Sequence, residues 1–212
     1  MDTSVFEKHL FGKANRGDMI LVEYPSTYPI EEFSWSFLIP ALVERGGVVI
    51  GDFFGIGDLM FRNYTRKVSG KEYSKIIELI KEIKIVKIGP GSASYGEVIE
   101  EVVPAYDSHS FLKNYHTVVN RMTHCPTKPE YFVTFGLAHY VHFGGDEAVK
   151  AILTGISTIP LEEWVGIHFI NVDILSREHV AMLEEMASMV FYISKDGLIV
   201  KKGGEAFDSG GG

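Results

Sequence analysis

Five short runs of apolar and β-branched residues recur along the chain, separated by longer stretches with helical spacing. They are MILVE (Met19–Glu23), GVVIGDF (Gly47–Phe53), IKIVKIG (Ile83–Gly89), YFVTFG (Tyr131–Gly136) and GIHFINV (Gly166–Val172). Several are apolar at consecutive positions, the pattern of strands covered on both faces. The intervening segments are long enough for right-handed crossovers, so the natural assembly is a mostly parallel sheet between two helical layers. At 212 residues the chain suffices for one well-buried domain, and no internal repeat or Pro/Ser-rich linker divides it. We read residues 1–203 as a single α/β domain and 204–212 as a mobile tail.

Helix boundaries are legible in places. Ser69 and Glu72 make a capping-box pattern ahead of YSKIIELIKEI, where Tyr73, Ile76, Ile77, Ile80 and Ile83 share one face. Asp107 or Ser108 can cap FLKNYHTVVNRM, and Ser176 can cap REHVAMLEEMASM. GGDEAVKAILTG opens on acidic residues suited to a helix N-terminus and closes on Gly155. Pro40 falls inside a helix expected from Glu31 to Arg45 and should kink or restart it. Near the end, VFYISKDGLIVKK reads as a hairpin turning at Asp196-Gly197.

Charge and cysteine content remove several function classes. The formal net charge of −8 opposes a general grip on nucleic acid, which needs concentrated positive surface. The single cysteine, Cys125, forms no intramolecular disulfide and supplies no cysteine-based metal site; a small apolar residue in a reducing cytoplasm is the expectation. The N-terminus has no signal-peptide pattern, and no apolar run approaches the roughly 20 residues needed to span a bilayer, so no membrane partner is expected. Glutamine is absent while Lys and Glu abound, a bias that points to a hyperthermophile.

The junction LVEYPSTYPIEEFS (Leu21–Ser34) lies where a strand gives way to a helix. A phosphate-binding loop of the form G-x-x-x-x-G-K-[ST] occupies such a junction in many α/β proteins. RGDMILVEYP resembles the lead-in of the RecA-like ATPases, especially the KaiC-type branch, and FEKHLFGKANRGD resembles that family's short N-terminal helix and turn. FSWSFLIPALVERGGVVIGDF resembles its next helix, glycine turn and second strand. The resemblance implies a three-layer RecA-like fold, mostly parallel, with helices on both faces and a C-terminal β-hairpin. The whole chain also resembles a family of uncharacterised archaeal proteins from hyperthermophiles built on this scaffold.

An ungapped alignment through Glu23 and Phe33 puts Tyr24, Thr27 and Pro29 at the usual glycine positions. Ile30 stands for the lysine, and Glu31 for the Mg²⁺-binding hydroxyl, with Glu32 after it. A lysine about 4 Å from a phosphate oxygen contributes up to ~4 kcal/mol at a partly shielded surface, and that contribution is gone. Two carboxylates at the helix N-terminus would repel a triphosphate. In PEYFVTFGLAHY the position of the Mg²⁺-positioning acid is Phe135. The expectation is a catalytically inactive domain with no catalytic residue, metal or cofactor.

Other constellations carry less. His139, His142 and Asp146 in HYVHFGGDE could share a metal, but they straddle an expected strand-to-loop exit and lack a further ligand. Ser108, His109, His116, His124 and Cys125 could be searched for a nucleophile and base, yet no G-x-S-x-G elbow is present and adjacent His124 and Cys125 side chains diverge. GPGSAS (Gly89–Ser94) is glycine-rich but has no lysine and reads as a strand-exit loop.

Ligands of open parallel sheets bind beyond the carboxyl edge. Tyr24, Pro25, Ser26, Thr27, Tyr28, Phe53, Phe54, Phe135, His139 and Tyr140 are expected there. A weakly charged aromatic edge suits an apolar or peptide-like ligand or a partner protein; equally, the rings could fill the volume a nucleotide would take. The sequence therefore points to a protein- or peptide-binding or assembly module, with self-association implied by resemblance. A nucleotide-responsive regulator that binds without hydrolysis is the alternative, followed by a hydrolase using His109–His142.

Overall fold

Alternate residues of the central strands divide the core between the two faces of one sheet. The computed structural model describes residues 3–125, 128–158 and 163–203. Its strands are β1 (Met19–Tyr24), β2 (Gly47–Phe53), β3 (Ile83–Ile88), β4 (Glu97–Val102), β5 (Pro129–Phe135), β6 (Val165–Asn171), β7 (Met189–Ser194) and β8 (Gly197–Lys202). They form one sheet in the order β4-β3-β2-β5-β6-β1-β7-β8. All neighbouring pairs are parallel except β7 and β8. The expected α/β architecture with a C-terminal hairpin is present.

On one face Ile20, Val22, Ile50, Ile85, Val133 and Phe169 join a single continuous cluster. It is covered by α1 (Ser4–Lys13), α2 (Ile30–Phe33), α3 (Ile39–Val43), α4 (Ile56–Thr65) and α5 (Gly70–Leu79). The opposite face lies under α6 (Ser108–Thr123), α7 (Leu137–Thr158) and α8 (Arg177–Met186). Its buried residues fall into two clusters, one around Leu21, Tyr140 and Leu183 and one around Val49, Met122 and Trp164. Among the described residues, no helix is long and apolar enough to cross a membrane.

Several local expectations were refined. The Ser69/Glu72 capping box is present, and Asp107 and Ser176 cap α6 and α8 through Ser110 and His179 amides. Between α2 and α3, Ser34–Leu38 forms a π-helical turn that delivers the chain to Pro40, and the Ile39 amide donates back to the Ser34 carbonyl. Pro40 has no N–H to give, and the widened turn absorbs the mismatch. The hairpin turns at Lys195–Asp196, one residue earlier than expected, with Gly197 opening β8 at φ 129°. HYVHFGG is helical from Leu137 onward and not a strand-to-loop exit; the break comes at Gly145, with φ 56° and ψ −141°. The tail at 204–212 lies outside the described residues.

Candidate functional site

The segment from β1 to α2 is the junction that the sequence marks for a phosphate loop. It closes as a turn, with the Tyr28 amide donating to the Pro25 carbonyl at 2.9 Å and the Ile30 amide to the Tyr28 carbonyl at 2.8 Å. The Ser26 amide donates to Asp173 Oδ2 at 2.7 Å, and the Ser26 hydroxyl lies 3.2 Å from Asn171 Oδ1. Asn171 ends β6 and Asp173 lies in the turn that follows, so a carboxylate from just beyond the neighbouring strand occupies the Ser26 amide. At the start of α2, Glu31 and Glu32 share the ammonium of Lys67, at 2.8 and 3.1 Å. These bonds hold the Lys67 pKa above its ordinary value.

Behind the loop the expected edge residues separate by face. Tyr24 and Phe135 enter the continuous cluster under α2–α4. Phe135 is fully buried, stacked on Phe169 at 4.9 Å and on Trp35 at 6.2 Å. Burial and the Glu31 carboxylate push the Tyr24 phenol up to about 12. Phe53 and Tyr140 belong to the opposite face, with ring centroids 5.3 Å apart. Ser26 and Thr27 are exposed, Pro25 and Tyr28 half-buried.

The end of β2 carries two further features. Asp52 is buried and accepts from the amides of Gly57 and Asp58 at 2.8 and 3.0 Å and from the Tyr95 hydroxyl at 3.1 Å. Burial outweighs those three donors and raises its carboxyl to about 6. Asp58 in turn holds Ser92, Ser94 and Arg62, which pins the GPGSAS loop onto α4. Phe54 follows with φ 59°, a left-handed backbone that residues other than glycine rarely adopt. Its ring meets Phe143 edge-on at 5.4 Å, and Phe143 is 62% exposed.

The family described as Pyrococcus protein of unknown function, DUF257, matches residues 9–203. The chain belongs to this family. Curated proteins show no match. Among solved structures, a protein of Pyrococcus horikoshii determined in a structural study superposes with TM-score 0.74 and 18% identity, over 95% of this chain and 92% of that one. A KaiC-like protein from the same hyperthermophilic archaeon gives TM-score 0.56 and 15% identity, over 95% and 87%. A further P. horikoshii protein, solved with an unknown peptide, gives 0.52 and 14%, over 93% and 89%. At these identities the likeness establishes the fold, and this DUF257 chain is RecA-like in architecture.

In this DUF257 member His142 and Asp146 each have a partner outside α7. His142 Nδ1 lies 2.9 Å from the Ile174 carbonyl, and Asp146 pairs with His179 at 2.9 Å. His139 is half-buried, its Nδ1 without a hydrogen bond among the described residues, and burial together with His142 lowers its pKa. No three His, Cys, Asp or Glu side chains of the described residues converge as a metal site. The sequence reading did not single out Asn171, Asp173, Lys67 or Phe143. Only Phe143 left a signal, as a large ring beside two glycines and an acidic pair.

Proposed function

We propose that this chain is a RecA-like scaffold without ATP turnover whose carboxyl edge receives a peptide segment of a partner protein. The absence of turnover is supported by Phe135, which fills the position of a Mg²⁺-positioning acid with a ring fully buried between Trp35 and Phe169. Asp173 on the Ser26 amide and the Glu31–Lys67–Glu32 cluster support it from the loop side. Both put carboxylates where a triphosphate would need donors.

The peptide reading is carried by the Phe54–Phe143 pair. An aromatic side chain left largely in solvent, braced by another held in a strained backbone, is the anchor type that dominates peptide and protein recognition. The unknown peptide bound by one structural neighbour adds support from the same fold. With a net charge of −8, the favoured segment carries an apolar anchor flanked by basic residues.

A random peptide library panned against the purified chain tests this reading. Selected peptides should bind the wild type and lose about tenfold or more in affinity to Phe143→Ser, measured by fluorescence anisotropy. Phosphate release from Mg²⁺-ATP should stay at the buffer level. Peptides indifferent to Phe143→Ser, or ATP cleavage abolished by Glu31→Ala or Glu32→Ala, would overturn it.

A further inference from the structure

The two apolar clusters on the α6/α7 face are kept apart by empty space. Between the sheet and these helices lies a cavity of about 370 Å³. Adjoining strands make its floor. Gly51, Thr134 and His168 stand side by side on β2, β5 and β6, and Val49, Phe132 and Gly166 form the next row. The space above the two glycines is taken by their neighbours, Phe132 and Thr134 over Gly51 and His168 over Gly166, so Phe132, Thr134, Gly166 and His168 are the floor residues that face the cavity. A Cβ on Gly51 would lie 3.0 Å from the Phe132 ring, and one on Gly166 2.9 Å from His168 Nε2.

The space is elongated along the strands. From the row of Gly166 to Phe53 is four residues, about 13 Å at ~3.3 Å per residue. At the carboxyl end, half-buried Val102, Pro104 and Ala105 form a rim that opens on the surface beside Ser110, Lys113 and Asn114. Elsewhere the walls are mainly apolar, including Val118, Met122, Leu137 and Ile152.

A few polar groups interrupt those walls. The Trp164 indole N–H and the Tyr115 hydroxyl are buried and have no hydrogen-bond partner among the described residues. His168 Nδ1 sits 2.9 Å from the Thr134 hydroxyl. Burial lowers the His168 pKa to about 4, so the ring is neutral near pH 7. Among the described residues the cavity thus presents two unpaired donors and no buried charge at its centre. Water is a poor occupant, because each molecule needs two to four polar partners and these donors lie on different elements.

We propose that this cavity binds a neutral, elongated apolar molecule that carries a carbonyl or ether oxygen. The chain of such a ligand fills the apolar length, and its oxygen accepts from Trp164 or Tyr115. The cavity shares Phe53 and Tyr140 with the expected carboxyl edge, but the Phe54–Phe143 pair does not line it, and the proposal does not depend on the peptide reading.

The two tryptophans give a direct readout, because Trp164 lines the cavity while Trp35 is buried on the opposite face of the sheet. Methyl nonyl ketone with a bromine at the far end of its chain should quench tryptophan emission saturably. Unlabelled methyl nonyl ketone should reverse the quenching, and native mass spectrometry should show one ketone per chain. The quenching should vanish in Trp164→Phe. The rim variant Ala105→Phe and the wall variant Val119→Phe, at a lining residue of α6, checked for wild-type circular dichroism, should each weaken binding about tenfold or more. Non-saturating quenching, quenching that persists in Trp164→Phe, or unaltered binding by either variant in folded form would overturn the site. Equal or better competition by the alkane or carboxylate of the same length would overturn the ligand class.

Discussion

His168 shows what a single buried side chain does to the whole energy balance. Its imidazole titrates near 6.5 when solvated and near 4 in the fold, because burial disfavours the charged ring. Between those values the unfolded chain binds a proton that the native ring refuses. The stabilisation is therefore complete above pH 6.5 and is lost as pH falls toward 4, a change of about 3 kcal/mol. Glu23 titrates in the opposite sense: burial raises it to about 7 despite Lys201 at 2.9 Å, so its contribution is lost as pH rises from 4.5. The two overlap, and a comparison with a variant separates them. The stability of His168→Gln relative to wild type, from urea unfolding at pH 7 and pH 4, should shift by about 3 kcal/mol in favour of the variant at the lower pH. A constant difference would mean that the ring ionises freely in the native state. The same residue marks a limit of sequence reading. GIHFINV announces a strand, but the alternation that sets Gly166 and His168 on one face gains meaning only beside Gly51 and Thr134 of other strands.

At the level of elements, two helical glycines with opposite roles test the local account. Gly145 breaks α7 at φ 56° and ψ −141°, a conformation open to glycine and costly for any side chain. Gly145→Ala should lower stability by roughly 1–3 kcal/mol. Gly12 sits in regular α1, exposed, with nothing within 4 Å of an added Cβ. There alanine should add about 0.5–1 kcal/mol, since glycine only wastes backbone entropy. Denaturant midpoints measured at constant slope give both signs, and the same sign for both would refute the distinction. Elements with strong local signals were legible in the sequence: the long apolar strands, the Ser69/Glu72 box and the terminal hairpin. Those governed by distant contacts were not. β4 reads as charged and is an edge strand, with Lys84 and Lys87 of β3 meeting its Glu97 and Glu101. α7 begins before its glycines because Tyr140 buries against Phe53 and Tyr106, a contact no local pattern reveals.

Across the whole molecule the two faces of the sheet are unequal in a way that sets its internal motions. The α1–α5 face packs as one cluster, whereas the other is split by the cavity beneath α6. The residues that stand in the loop were readable one by one; this asymmetry was not, because a void is a property of six or more elements together. It has an energetic consequence. α4 buries Gly57, Asp58, Met60, Phe61 and Tyr64 within ten residues, while α6 buries only Val118 and Met122 within sixteen. A helix held by so little apolar contact opens more cheaply than the domain unfolds. In native-state hydrogen exchange, amides of α6 should therefore exchange through a sub-global opening, with protection well below that of α4 and of central β1, β5 and β6. Methyl nonyl ketone at saturating concentration should slow α6 and leave α4 unchanged, since it binds the closed form of one face only. If α6 and α4 exchange together, at the rate of global unfolding, the cavity is no weak seam and the sheet is braced equally from both sides.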